Sequence, residues 1–193
     1  MSSEYRALVD KVEAFTSIAF ERRKQDMACA KGCSSCCEVS LTVSAVAAAE
    51  IKQGLALLSA KDRARVAQRA ARLRAQQDRD GSEQTHAHPA RCVMLEEDGS
   101  CIVYAHRPLV CRTQGHALRY PPGFIPEAAV RARSSRGEVT HCPLNFTEAA
   151  PEPGDVLDAE RIDQILVVVA QRFALANQLD PDERVTLTEL ALG

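Results

Sequence analysis

The sequence contains no tryptophan, and only 4% of its residues are aromatic. Its core must therefore rest on leucine, valine, isoleucine and alanine, each of which buries less area than an aromatic ring. The chain also lacks a large excess of either charge, since its formal net charge at pH 7 is −2. This balance argues against a protein that binds nucleic acid through its overall charge, so a nucleic-acid partner is not expected.

Long apolar runs are absent as well. No stretch reaches the roughly 18 uninterrupted apolar residues that a membrane-spanning helix needs. Residues 1–15 carry charges throughout and lack the apolar core of a secretory signal peptide. We therefore expect no membrane partner and a cytoplasmic location, where stable disulfides are rare. The length of 193 residues predicts a single domain over residues 1–193.

What the sequence does contain is cysteine, and four of its eight cysteines fall within residues 29–37, which read CAKGCSSCC. The thiolate binds metals and attacks disulfides, so clustered thiols indicate a metal site, a redox couple or a disulfide framework. A reducing compartment disfavours the disulfides. Metal binding is therefore the leading hypothesis. The candidate ligands are Cys29, Cys33, Cys36, Cys37, Cys92, Cys101, Cys111 and Cys142.

The spacing of the first four thiols suits a metal but does not identify it. Cys33 and Cys36 form a C-x2-C pair, the usual short chelate of tetrahedral zinc or of an iron–sulfur cluster. Adjacent cysteines point in different directions in most backbones, so Cys36 and Cys37 rarely serve one mononuclear ion together. One of them would bridge, join a second site or be buried as a small hydrophobe. The four local thiols suffice for one site, and all eight suffice for two sites or one polynuclear site. The predicted cofactor is therefore an iron–sulfur cluster or zinc.

Hydrophobic periodicity predicts helices at about 4–24, 45–58, 59–79 and 158–177. Ser44 and Asp158 are suitable N-caps, and Ser59 with Asp62 matches a capping box. The last helix is expected to bury one face, made of Ile162, Ile165, Leu166, Val169 and Phe173.

Between these helices the pattern changes. Two apolar runs around Asp98-Gly99 predict a hairpin with Cys92 and Cys101 on its arms. Pro108 is expected at the first position of a short helix that carries Cys111. Residues 113–141 read as irregular, and the tail after residue 181 is weakly determined. The predicted fold is mainly α: a small helical domain with a short β-hairpin and a loop-built cysteine metal site, whose core spans about 29–142.

Several charged residues have two interpretations. Arg107 and Arg112 flank Cys111 and are predicted to contact an anionic cofactor, although Arg107 could instead pair with Glu96 or Glu97 on the surface. The histidines of a polar linker at 80–91 are either ligands or solvent-exposed. The arginines of the third helix form a solvated face or, as the alternative, a docking face for an acidic partner. The linker histidines are His86 and His88, and the arginines of the third helix are Arg63, Arg65, Arg69, Arg72, Arg74 and Arg79.

Three blocks of the sequence resemble the zinc- or iron-chelating cysteine-cluster family, also called CxxCxxCC or YkgJ-like. The first is residues 29–37, followed by a Val/Thr stretch and a helix with Glu50. The second is residues 92–104, with CVML and DGSCIVY, and the third is RPLVCR at residues 107–112. Cys142 corresponds to the usual late cysteine. The chain departs from the commonest opening of the family because three residues, not two, separate Cys29 from Cys33.

The resemblance implies a soluble protein that binds iron or zinc, without a settled reaction. In some larger proteins the motif is part of a modifying enzyme. The alternative function is therefore a metal-dependent or redox enzyme component that acts with a partner protein, with an open coordination position beside His106, His116 or His141. No familiar catalytic motif supports it. A zinc module that binds nucleic acid through the arginine-rich helix is a further alternative, although zinc-finger spacing is absent.

Overall fold

A computed structural model describes residues 2–80, 90–123 and 138–193. In these parts the protein is mainly α-helical with a few short strands, as predicted, and the cysteines cluster in a loop region. None of the helices described is long and apolar enough to cross a membrane. The histidines at 86 and 88 lie outside the described residues.

The first helix, α1, spans Ser3–Arg22, close to the predicted range. The side chain of Ser2 caps it by accepting a hydrogen bond from the backbone N–H of Tyr5. Its inward face buries Tyr5 together with Leu8, Val9 and Val12. The Tyr5 hydroxyl accepts a hydrogen bond from the Leu109 N–H at 3.0 Å. This hydrogen bond ties α1 to the segment that carries Cys111.

The next two helices are α2, Ala45–Ala56, and α3, Ala60–Asp80. Ser44 occupies the N-cap position of α2, although its side chain makes no capping hydrogen bond. The backbone N–H of Asp62 donates to the Ser59 hydroxyl at 3.1 Å, which confirms the cap predicted for α3. Gly54 lies inside α2 because a Cβ there would come within 2.7 Å of the His106 side chain.

The remaining helices are α4, Leu109–Thr113; α5, Ala159–Ala176; and α6, Leu187–Leu192. Pro108 is the N-cap of α4, not its first residue as predicted. Asp158 caps α5 as predicted, through a hydrogen bond from the Arg161 N–H. The predicted buried face of α5 is wrong at Ile165, which is 42% exposed, because the buried residues of α5 include Val169, Ala170 and Ala174.

Two small sheets join distant parts of the chain. In one, β1 pairs antiparallel with β5; in the other, β2 lies between antiparallel β3 and parallel β4. The first sheet and α6 give the tail a defined structure, and the second corrects the expectation that 113–141 is irregular, because strands lie near both its ends. The strands are β1 Thr42–Ser44, β2 Ala117–Arg119, β3 Val139–Thr140, β4 Val156–Asp158 and β5 Arg184–Thr186.

The apolar core has a large and a small part. The large cluster draws on α1, α2, α3, α5 and α6, and Cys92 and Cys101 pack against it. The small cluster is built on Met27, Ala117 and Phe146, and Cys29 packs against it. Three of the cysteines, Cys29, Cys92 and Cys101, therefore lie at the edges of the two apolar clusters.

Candidate metal centre

The first cysteine block is a loop that ends in a single turn, as its glycine and serines predict. Gly32 has a φ of +89°, a conformation that favours glycine. The Cys33 N–H donates to the Ala30 carbonyl at 3.0 Å, and the Cys37 N–H donates to the Ser34 carbonyl at 2.8 Å. A 3-10 turn spans Ser35–Cys37. This backbone directs several thiols of a short segment toward one side.

The predicted hairpin is present, although its strand pairing is very short, and it packs against this loop. Its strand pairing is one antiparallel bridge between Leu95 and Cys101. A Cβ on Gly99 would lie 2.3 Å from the Gly32 carbonyl oxygen, so the two backbones meet closely. The Cys92 N–H also donates to the Cys37 carbonyl at 2.8 Å. These backbone contacts bring the second cysteine block against the first.

Six of the eight thiols line one cavity of about 570 Å³. Helix α4 contributes Cys111, while Cys29 and Cys142 lie beside the cavity, close enough to Cys33 and Cys36 for their charges to interact. The structure thus brings all eight predicted cysteines into one region. All eight are free thiols. The thiols that line the cavity are Cys33, Cys36, Cys37, Cys92, Cys101 and Cys111.

The electrostatic neighbours divide the thiols into two groups. The first thiol group is Cys29, Cys33 and Cys142, in which Cys33 lies close enough to contribute to the raised pKa of the other two thiols. The second thiol group is Cys92, Cys101 and Cys111, in which the first two contribute to the raised pKa of Cys111. The charge of Cys36 acts on members of both groups, and its side chain hydrogen-bonds to Cys37. The adjacent pair Cys36–Cys37 therefore lies between the groups.

Partial burial raises the pKa of most of these thiols above the ordinary value of a cysteine. It raises the pKa of Cys92 to about 11 and that of Cys111 further. The hydrogen bond with Cys37 raises the pKa of Cys36. The pKa values of Cys29, Cys101 and Cys142 are also raised by burial. A metal ion that binds here must therefore displace protons.

The two predicted cofactor-binding arginines have different surroundings. Arg107 lines the cavity, with its guanidinium 3.6 Å from the centre of the Tyr104 ring, and its charge opposes the raised pKa of the Cys36, Cys101 and Cys111 thiols. Arg112 is buried and donates to Glu13 and to the carbonyls of residues 105 and 107. Its contacts hold α4 in place, and its role toward a cofactor stays a prediction.

Much of the arginine-rich face of α3 is neutralised within the protein. Glu96 accepts hydrogen bonds or ion pairs from Arg65 and Arg69, each at 2.8–2.9 Å. Arg74 pairs with Asp78, one helical turn further along. Glu96 therefore forms its ion pairs with arginines of α3 and not with Arg107. These pairs favour the interpretation of the α3 arginines as a solvated face.

Sequence reasoning missed one polar residue of the site, Asn145. It is 1% exposed, and its amide nitrogen lies 3.2 Å from the Cys29 sulfur. The signal that could have found it is an asparagine three residues after the late Cys142. A second cavity of about 220 Å³ lies next to the first and includes His116, His141 and Cys142. Burial lowers the pKa of His116 to about 4, so this imidazole is neutral at pH 7.

A family model described as "CxxCxxCC: Putative zinc- or iron-chelating domain" matches residues 28–136. This span covers more than half of the 193 residues. The chain belongs to this zinc- or iron-chelating family. No match was found among curated proteins or among solved structures. The CxxCxxCC match confirms the resemblance and supports zinc or iron binding without naming a reaction.

The CxxCxxCC span ends before two residues of the site. Cys142 and Asn145 lie beyond residue 136, yet they contact Gly115 and Cys29 inside the matched region. The thiol site of this member therefore extends past the family's match.

The residues fit zinc or iron by their chemistry. Soft thiolates favour zinc and iron–sulfur clusters, and six thiols facing one cavity exceed the four that a tetrahedral site needs. In the described residues, which include every cysteine, no three Cys, His, Asp or Glu side chains are already arranged to hold an ion. Since no such set is already in place, several of the donors must move closer together when an ion binds, and each thiol that binds it must lose its proton.

Proposed function

We propose that this protein binds zinc or an iron–sulfur centre through its cysteines, in a cytoplasmic, reducing setting that keeps thiols available. The observation that carries the proposal is that six thiols from three separate segments face one cavity, with the other two beside it. A core poor in aromatic residues gains from such a centre, because a structural metal contributes on the order of 10 kcal/mol to folding.

The two thiol groups suggest how the ligands are shared. Each group supplies three sulfurs, and the pair Cys36–Cys37 between them supplies the rest. Two tetrahedral ions, or one polynuclear cluster, would use all eight. Arg107 would offset the negative charge of such a centre from its position in the cavity wall, and Arg112 would act from behind α4.

The first experiment is elemental analysis with a visible spectrum on untagged protein purified without oxygen. Iron with sulfide and a brown colour would identify an iron–sulfur centre. Colourless protein with about one or two zinc ions per chain would identify a zinc site. Protein without either metal, and with its thiols paired as disulfides, would contradict the proposal.

A stability measurement tests whether the metal is structural. Cys33→Ser combined with Cys36→Ser is expected to lower the melting temperature sharply, as is removal of the metal by a chelator, because metal binding energy contributes to folding. The matched control is Ser34→Ala with Ser35→Ala, which alters the same turn and leaves every thiol. An unchanged melt after complete removal of the metal would rule out this role.

A second candidate is a metal-dependent or redox enzyme component that acts with a partner protein. The observation that favours it is the size of the cavity, because about 570 Å³ falls in the range of small-molecule pockets and exceeds the space that an ion needs. X-ray absorption on the loaded protein would count the sulfur ligands per metal. Fewer than four sulfurs would favour the enzyme, and a full sulfur shell would favour a structural site.

A further inference from the structure

The side chain of Asn145 makes three hydrogen bonds, which reach two separate segments of the chain. Its Oδ1 accepts a hydrogen bond from the Ala28 N–H at 2.8 Å. Its Nδ2 lies 2.7 Å from the Gly115 carbonyl oxygen and 3.2 Å from the sulfur of Cys29. One buried amide therefore joins the start of the first cysteine block to the chain after α4.

The orientation of this amide follows from its backbone partners. If the amide were flipped, its oxygen would face the Gly115 carbonyl, and its NH2 group would face the Ala28 N–H. Both arrangements would set like groups against each other away from water, which is costly. One N–H therefore points to Gly115, and the other donates to Cys29. A hydrogen bond of this kind favours the thiolate over the thiol.

The turn that presents Asn145 is fixed at both ends. The Asn145 N–H donates to the Cys142 carbonyl at 2.9 Å, and the Phe146 N–H donates to the Asp26 carbonyl at 2.7 Å. Phe146 has a φ of +56°, which a residue with a side chain adopts only where its surroundings hold it. Its ring packs edge-on against His141, with the ring centres 5.1 Å apart. The amide is therefore held in place independently of any metal.

We propose that Asn145 is a positioning residue of the metal centre, which holds the Cys29 sulfur through an N–H···S hydrogen bond. The inference rests on the proposed function and deepens it, because it assigns a ligand-orienting role to a residue outside the matched region. Gly115 confines the same sulfur from another side, since a Cβ there would lie 2.7 Å from it. Cys29 is thus fixed despite the unusual spacing between it and Cys33.

The contact itself is tested without metal. Asn145→Asp keeps the shape of the side chain but replaces the NH2 group with a carboxyl oxygen, so that no amide N–H reaches Cys29. In the reduced, metal-free protein we expect iodoacetamide to alkylate Cys29 several-fold more slowly relative to Cys33, measured by peptide mass spectrometry. Asn177→Asp makes the same change at an exposed residue of the α5 C-terminus and should leave the ratio unchanged. An unchanged ratio in Asn145→Asp would overturn the inference.

The positioning role is tested by a double-mutant cycle with Cd²⁺, followed by its thiolate charge-transfer absorption. Asn145→Asp should weaken Cd²⁺ binding by about 10- to 100-fold, as is typical for residues that orient metal ligands. In a Cys29→Ala background the same change should cause no further loss, because the residue acts through that sulfur. Equal losses in both backgrounds would indicate general structural damage and overturn the assignment.

Two further outcomes are distinguishable. If the wild-type protein binds no Cd²⁺, the proposed function fails, while the alkylation ratio still decides whether Asn145 controls Cys29. If circular dichroism shows that Asn145→Asp does not fold, Asn145→Ala replaces it in the cycle, because it removes the amide donor without introducing a carboxyl group. Its loss of Cd²⁺ affinity should disappear in the Cys29→Ala background, and a loss that persists there would contradict the inference.

Discussion

At the scale of single residues, two glycines determine how closely the first two cysteine blocks approach. Gly32 and Gly99 both have positive φ values, of +89° and +79°, and their backbones touch. No residue with a Cβ could occupy position 99 without moving the hairpin away from the loop. The separation of the two sets of thiols is therefore controlled by residues that carry no functional group.

Gly99→Ala is expected to destabilise the metal-loaded protein by about 1–3 kcal/mol more than Gly123→Ala. Both glycines have positive φ values, but a Cβ at position 123 would meet nothing within 4 Å, so the control carries only the backbone strain. Denaturant unfolding measures the difference, and metal affinity should fall in Gly99→Ala alone. Equal effects of the two substitutions would show that the close contact does not matter.

At the scale of elements, a buried carboxylate holds the turn before α4 against α1 and α2. Glu50 of α2 is 3% exposed and lies 2.5 Å from the Arg6 guanidinium and 3.0 Å from His106 Nδ1. A 3-10 turn, Tyr104–His106, carries that histidine and leads directly to Arg107 in the cavity wall. The contacts of Glu50 therefore hold the turn that places Arg107 in the cavity wall.

Arg6→Met keeps the length of the side chain but removes its charge, which leaves the buried Glu50 without its ion pair to Arg6. We expect a loss of about 1–3 kcal/mol in the free energy of unfolding. Arg172→Met is the control, because Arg172 pairs with Glu4 on the surface and such pairs contribute about 0–1 kcal/mol. Glu50→Gln added to Arg6→Met should restore part of the loss. Similar losses for Arg6 and Arg172 would contradict this interpretation.

The elements themselves differ in how far the sequence predicts them. The helices α1, α2, α3 and α5 were predictable because each has several turns of regular apolar spacing. The strands were not, because two or three residues contain no period. On α5 the spacing indicated the wrong boundary of the buried face: Ala170 and Ala174 are buried where the helix packs against α1 and α2, while the larger Ile165 is exposed.

The site divides in the same way. The candidate cysteines and their order could be read from the sequence, because thiol chemistry and short spacing are local properties. The division into two thiol groups and the contact of Asn145 could not, because they depend on how distant segments meet. The hydrogen bond from Asn145 to Cys29 joins residues 116 positions apart, and no local pattern encodes it.

At the scale of the whole molecule, the partly buried thiols make stability depend on pH. Burial raises the pKa of Cys92 from 9.0 to about 11. Between these values the unfolded chain releases a proton that the folded chain retains, so the stability of the metal-free protein falls as pH rises. Burial also raises the pKa of Tyr5, to about 12, which adds a loss in the same direction at higher pH.

We expect the urea midpoint of the reduced, metal-free protein to decrease as pH rises from about 8 to about 11, with a smaller decrease in Cys92→Ser. In the metal-loaded protein the trend at lower pH reverses, because protons compete with the metal for thiolates and acid weakens binding. The same pH slope in Cys92→Ser and in the wild type would mean that this thiol is not the titrating group.

The distance along the chain between Cys29 and Asn145 also sets an order of events during protein synthesis. A ribosome that adds about 5–20 residues per second needs roughly 6–23 seconds to cover the 116 positions between them. Throughout that interval the nascent chain presents the thiols of its first block without the amide that will hold Cys29. A metal ion that binds during this interval would be held by a flexible peptide. The metal selectivity of the folded centre would arise only after the segment that carries Asn145 has been synthesised.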